Sequence, residues 1–277
     1  MKIDKVHLIT FSPTHTSKQV GEAIVQGLVP ENLLVQDITL PTGELLPVET
    51  GALAVITVPV YGGKVAPLAM KRLETLQGAG SFAVLVAVYG NRAYEKALQE
   101  LDAKVSQCGF KVIAAATFVG EHSYSTADTP IAVGRPDTDD LAFATDFGKK
   151  IAQKVSDAAD EEHLYGVDVL RIPRPKQPIW PMLKFVRQVL KWKKQGTPLP
   201  RTPQTDADLC KHCGLCVKSC PNAAIVAGDE CNTVAERCIR CCACVKFCPH
   251  KARTYNTPFA PLLSNNFKKR KENKILL

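Results

Sequence analysis

No run of 18 or more apolar residues occurs in the 277-residue chain, so no segment has the length and hydropathy of a membrane-crossing helix. The opening MKIDKVHLIT lacks the charged, apolar and small-residue regions of a secretory leader and passes straight into a strand-like pattern. Both absences point to a cytoplasmic protein. Cysteine is nearly missing from the first 209 residues, where Cys108 stands alone. No G-x-x-x-x-G-K-[ST] is present and no G-x-G-x-x-G follows the first strand-like run, which disfavours a nucleoside triphosphate and a Rossmann dinucleotide. No catalytic triad stands out. What is there is a crowd: ten of the 11 cysteines lie between Cys210 and Cys248. In a reducing compartment such a cluster points to metal and away from disulfides.

Charge divides the chain in two. Residues 1–166 hold 14 Lys/Arg against 20 Asp/Glu, a balance of −6, and residues 167–277 hold 21 against 7, a balance of +14. The division suggests two domains. Cations that offset anionic clusters and keep the surface solvated explain the basic half. An anionic partner or a membrane surface is the alternative, and no nucleic-acid motif accompanies the charge.

The first 160 residues alternate apolar runs with amphipathic stretches. Strands are expected at 5–11, 33–38, 53–59, 82–89 and 111–119, and helices at 17–28, 67–76, 93–108 and 140–155. Continuous apolar runs are buried on both faces. Alternating with helices, they indicate a doubly wound α/β domain with a five-stranded parallel sheet. Residues 167–204 are a Pro-rich linker around a basic amphipathic helix at 181–194, whose apolar side uses Met182, Leu183, Val186, Val189 and Leu190. The helix is expected to pack on its own protein, with a membrane surface as the other reading. Residues 205–257 form a small α+β unit, and 258–277 are a basic, mobile tail.

Within 205–257, CKHCGLCVKSCP at 210 returns as CIRCCACVKFCP at 238. Each copy is C-x₂-C-x₂-C-x₃-C-P, with Cys210, Cys213, Cys216 and Cys220 in the first and Cys238, Cys241, Cys244 and Cys248 in the second. Three closely spaced thiolates let a tight loop wrap three corners of a cubane cluster. Zinc sites instead take two separated C-x₂-C pairs. The doubled motif resembles the bacterial two-cluster ferredoxins, in which the fourth cysteine of each run ligates the other cluster. The resemblance implies a first [4Fe–4S] cluster on Cys210, Cys213, Cys216 and Cys248, and a second on Cys238, Cys241, Cys244 and Cys220. Cys108, Cys231 and Cys242 fall outside the pattern and read as packing residues, with Cys242 at the place that Gly214 holds in the first copy. His212 and His250 read as exposed or hydrogen-bonded neighbours of the clusters.

The first strand-like run ends in the hydroxyl-rich turn Ser12-Pro13-Thr14-His15-Thr16-Ser17 at a helix N-terminus, a setting for a phosphate. The third ends in Pro59-Val60-Tyr61-Gly62-Gly63-Lys64, and the fourth in Tyr89-Gly90-Asn91-Arg92-Ala93-Tyr94. Glycines there let a backbone approach a ligand, and tyrosines offer stacking faces. With PVYGGKV at 59–65, VYGNRAYE at 88–95, GEHSYS at 120–125, GRPDTDD at 134–140 and the doubled cysteine motif, nearly the whole chain resembles the flavodoxin–ferredoxin fusion proteins of bacteria and archaea.

The resemblance implies a flavodoxin-like fold with FMN. Its phosphate would lie on Ser12, Thr14, His15, Thr16 and Ser17, and its ring on Pro59, Val60, Tyr61, Gly62, Gly63, Lys64, Tyr89, Gly90, Asn91, Arg92 and Tyr94. The family's turn carries glycine where His15 stands, and histidine is among the residues found at positive φ. His122, just past the fifth strand, is a candidate to orient the flavin. The expected function is electron transfer between two [4Fe–4S] clusters and FMN, with redox proteins as partners. An FMN-dependent reductase of a small-molecule acceptor, a redox-sensing subunit and a homodimer are left open.

Overall fold

The computed structural model describes residues 4–41 and 43–277; residues 1–3, part of the stretch read for a leader, and residue 42 lie outside the described residues. The first domain is built from β1 (Lys5–Thr10), α1 (Thr16–Leu28), β2 (Asn32–Asp37), β3 (Leu53–Tyr61), β4 (Lys64–Val65), α2 (Pro67–Arg72), β5 (Phe82–Tyr89), α3 (Ala97–Gln107), β6 (Lys111–Val119) and α4 (Thr138–Asp157). Five strands pair in parallel in the order β2-β1-β3-β5-β6. With the short hairpin strand β4 set aside, this is the flavodoxin-like 2-1-3-4-5 order.

The apolar runs explain the sheet. All of β5 is buried, and successive residues serve opposite faces. Ile56 and Leu85 join Leu98 and Leu101 of α3 on one side, whereas Leu8, Val55 and Val84 join Val20, Ile24, Phe147 and Ile151 of α1 and α4 on the other. Each such side chain contributes about 1.5–3 kcal/mol on burial. Glycine sets the spacing of α1 against α4: a Cβ at Gly27 would fall 1.9 Å from the Thr145 carbonyl oxygen, and one at Gly148 would fall 2.1 Å from that of Ile24. An Asp137–Asp140 capping box starts α4.

Three expectations are corrected. The sheet has a sixth long-range partner, because β9 (Lys274–Leu276) pairs antiparallel with β6. Residues 258–277 are therefore not a mobile tail. Asn91 donates to the carbonyls of Phe267 (2.6 Å) and Lys269 (3.1 Å), and Asn273 accepts from the Val119 amide at 3.0 Å. The linker is also partly core: Val169 and Ile172 are buried beside α3, and the Val167 amide donates to the Val112 carbonyl.

The linker helix α5 (Ile179–Gln195) does pack on its own protein, but of the expected row Leu183, Val186 and Leu190 take no part. Phe185 meets Phe267 at 5.4 Å, and Trp192 meets Phe259 of α8 (Phe259–Asn266) at 5.3 Å. Met182 joins that contact, while Leu183, Val186 and Leu190 stay exposed. Between α5 and α8 lies the cysteine-rich unit, closed by β7 (Gln204–Thr205) paired with β8 (Arg253–Thr254) and holding the short helices α6 (Leu215–Lys218) and α7 (Ala243–Lys246).

Candidate functional site

The C-terminal ends of β1, β3, β5 and β6 open onto a cavity of about 600 Å³. This is the edge, and the switch point, where open α/β sheets bind ligands. On one side the chain turns from β1 into α1. The His15 amide donates to the Ser12 carbonyl, and His15 takes the left-handed conformation (φ 67°) just before the helix. Ser12 Oγ accepts from the Lys18 amide at 3.0 Å. Ser17 Oγ is buried and has no hydrogen-bond partner among the described residues. An orphaned buried hydroxyl costs about 1–3 kcal/mol, and a ligand oxygen would relieve it. The setting is a helix N-terminus lined with hydroxyls, a fit for a buried phosphate monoester.

Opposite, Gly62 (φ 61°) and Gly63 (φ 85°) form a two-residue hairpin between β3 and β4 that places Tyr61 on the cavity wall. Gly90 is needed for contact: a Cβ there would lie 2.3 Å from the His122 ring. The Tyr124 amide donates to His122 Nδ1 at 3.0 Å, so in the neutral ring Nε2 carries the proton. Protein walls in the ring except where it faces the cavity. Burial, then Arg92 and Lys246, holds its pKa down to about 4, so it is a neutral donor at pH 7.

Thirteen of the 17 sequence-selected flavin residues line this cavity: Ser12, Thr14, Thr16, Ser17, Pro59, Val60, Tyr61, Gly62, Gly63, Tyr89, Gly90, Arg92 and His122. Four do not. His15 turns away to stack on Phe247 at 4.8 Å, Lys64 faces Glu100, Asn91 ties down residues 267–271, and the Tyr94 hydroxyl donates to the Ile172 carbonyl. The cavity also has walls that sequence reading missed. Phe185 comes from α5, Phe259 and Leu263 from α8, and Ile239 and Arg240 from inside the second cysteine motif. Only the last pair carried a signal, its place between Cys238 and Cys241.

The cysteines form two groups. Cys210, Cys213 and Cys216 share a small cavity with Cys248 from the second motif. Cys220 of the first motif lies near Cys238, Cys241 and Cys244, where its charge adds to the pressure against their ionisation. Burial is the larger cause, and it pushes the Cys241 thiol up to about 12 and that of Cys244 to about 11. Thiols so placed become thiolates only when a cation such as iron compensates them.

The repeat is written into the backbone as well. His212 and Arg240 (φ 47° and 56°), Gly214 and Cys242 (71° and 59°), and Ala223 and Lys251 (47° and 51°) are matched positions in left-handed conformation. Cys242 is a buried N-cap of α7, as Gly214 is of α6. Cys108 packs beside Leu73, its thiol against that carbonyl. Cys231, in contrast, comes within 4.8 Å of Cys210 and His212, and His212 pairs with Glu230 at 2.8 Å. Arg253 is buried between the groups, donating to the Glu230 carbonyl while its Nε has no partner among the described residues.

The two units are docked. Lys246 pairs with Glu121 at 2.7 Å and donates to the Ser125 carbonyl, Tyr124 meets Tyr255 at 5.2 Å, and Arg72 bonds the Pro221 carbonyl.

The 4Fe-4S binding domain families match residues 203–226 and 235–256. No curated protein matches the chain. Among solved structures, a flavodoxin from the domain Archaea aligns at 15% identity over 55% of this chain and 99% of its own, with a TM-score of 0.36. An apo NADH:FMN oxidoreductase aligns at 13% identity over 58% and 94%, with a TM-score of 0.40. A Bacillus anthracis FMN-dependent NADH-azoreductase aligns at 12% identity over 55% and 100%, with a TM-score of 0.37. These likenesses are slight, and the first domain's fold rests on its own strand order. A flavodoxin-like α/β domain carrying two 4Fe-4S binding domains behind it has the build of a flavodoxin–ferredoxin fusion.

Proposed function

We propose that this chain is an electron-transfer protein that links two [4Fe–4S] clusters to an FMN held in the cavity at the sheet edge. The observation that carries the reading is the shared wall: Ile239 and Arg240, between Cys238 and Cys241, line the same cavity as the residue 12–17 turn and Tyr61. One chain thereby brings a cluster-binding loop to a flavin-sized site, with no second copy required.

In this reading Ser12, Thr14, Thr16 and Ser17 hold the phosphate with hydroxyls and the first amides of α1. The Gly62–Gly63 hairpin, Tyr61, Tyr89 and Gly90 enclose the ring, and His122 offers it a neutral N–H. Cys210, Cys213, Cys216 and Cys248 hold one cluster, and Cys238, Cys241, Cys244 and Cys220 the other, as the grouping of the thiols supports. Bound there, FMN supplies one- and two-electron redox chemistry and the clusters one-electron chemistry. The docking contacts keep the two sites in register, and α5 and α8 cover the cavity from water. Redox proteins are the partners.

Anaerobic purification followed by absorbance, flavin, iron and sulfide assays tests this. About eight irons and one FMN per chain are expected. Iron without flavin, even after incubation with added FMN, overturns the flavin half, and flavin without iron overturns the cluster half.

A further inference from the structure

Helix α5 has two apolar faces, and the protein uses one. The inner row of Met182, Phe185 and Trp192 is spent on α8 and Phe267. The outer row of Ile179, Leu183, Val186 and Leu190 recurs at i, i+4, i+7 and i+11 and is 74%, 55%, 44% and 59% exposed. At about 100° per residue these four side chains form one stripe roughly 60° wide. Along one flank of that stripe run Trp180, itself 75% exposed, and the exposed cations Arg187, Lys191, Lys194 and Lys184. Residues 169–205 contain nine Lys/Arg and no Asp or Glu.

We propose that α5 seats the chain on an anionic lipid surface. The outer stripe enters the boundary between headgroups and acyl chains, Trp180 sits at headgroup level, and the cations meet acidic headgroups. An apolar stripe bordered by Lys/Arg, with a tryptophan beside it, is the pattern of a helix lying in a membrane interface. Three observations favour this occupant. The helix is already folded and braced by its inner row, so no ordering cost opposes insertion. A second copy on the same stripe would bring the flanking cations Lys184, Arg187, Lys191 and Lys194 up against the same four of its partner. No helix among the described residues is long and apolar enough to cross a membrane, so α5 lies on the surface and does not span it.

The test is flotation of the full, cofactor-loaded chain with vesicles of phosphatidylcholine containing roughly 30% phosphatidylglycerol, against phosphatidylcholine alone. The chain has two tryptophans, so Trp192→Phe leaves Trp180 as the sole reporter. Flotation with the anionic vesicles only, with a blue shift of Trp180 emission, is expected. Leu183→Glu with Leu190→Glu lowers the bound fraction roughly tenfold, and so does Arg187→Gln with Lys191→Gln, with iron and flavin content unchanged. Failure to float with the anionic vesicles overturns the proposal. So does binding that leaves Trp180 emission unmoved and survives the double glutamate variant, since that is adsorption by charge alone. A concentration-dependent dimer abolished by Leu183→Glu, or an acidic protein that occupies the stripe while vesicles do not, assigns the face elsewhere.

Discussion

The two cysteine motifs are near copies in sequence, yet the fold sends them to opposite environments. Cys213 of the first is exposed, and Cys210 and Cys216 are half-covered. Cys241 and Cys244 of the second are buried, in the same loop as Ile239 and Arg240 of the sheet-edge cavity wall. Internal repetition thus yields one site that faces the surroundings and one that faces the first domain. The asymmetry comes from what each copy touches: α7 of the second is gripped by Glu121, Ser125 and His15 through Lys246 and Phe247, whereas α6 of the first leaves Leu215 42% exposed. Electrons entering or leaving the clusters through a protein partner would use the first site.

The sharpest way to break this contrast is Cys220→Ser. It lies in the first motif but is expected to empty the second site, lowering iron from about eight to about four per chain and leaving one cluster signal by electron paramagnetic resonance. Loss of the exposed cluster with the buried one intact would reverse the ligand grouping.

Arg253→Leu acts on both sites at once. Removing a buried cation beside both thiol groups disfavours the reduced, more negative clusters, so both potentials fall, by on the order of tens of millivolts. Potentiometric titration reads this, and a shift in one cluster alone places the guanidinium nearer that one. Leu215→Glu puts charge on the exposed rim. It is expected to slow reduction by a ferredoxin-type donor several-fold while leaving both potentials and the flavin content unchanged.

The smallest effect is a pH dependence confined to the first domain. His122 is depressed from about 6.5 to about 4 in the fold. The unfolded chain binds the extra proton between those values, so the histidine's contribution is present above pH 6.5 and is lost as pH falls toward 4. His122→Gln should flatten the melting temperature across that window without altering iron content.

Sequence made the parallel core legible because strands buried on both faces leave continuous apolar runs; 82–89 and 111–119 coincide with β5 and β6. The cysteine repeat was legible because cubane ligation fixes spacing. The strap at 267–276 was not. Its three-residue strand hides among lysines, and its partners Asn91, Arg135 and Val119 reach it through amide, guanidinium and backbone groups that no periodicity marks. For α5 the amphipathic pattern was correct and the buried face was not, since a helix apolar over two faces does not declare which one its own protein will take. At His15 the turn takes the left-handed conformation that a glycine would allow, and the imidazole goes to the docking contact with Phe247.

The strand that completes the sheet is made long after its neighbour. Lys274 follows Val119 by 155 residues, and the whole iron-binding segment lies between them. At synthesis rates of about 5–20 residues per second, the edge of β6 stays unpaired for roughly 8–30 s on the ribosome. An open strand edge is a template for wrong pairing with another nascent chain. The length of the cluster-bearing segment therefore sets how long that edge stays open in each new molecule, and lengthening that insertion is expected to raise aggregation during expression without altering a single contact of the finished protein.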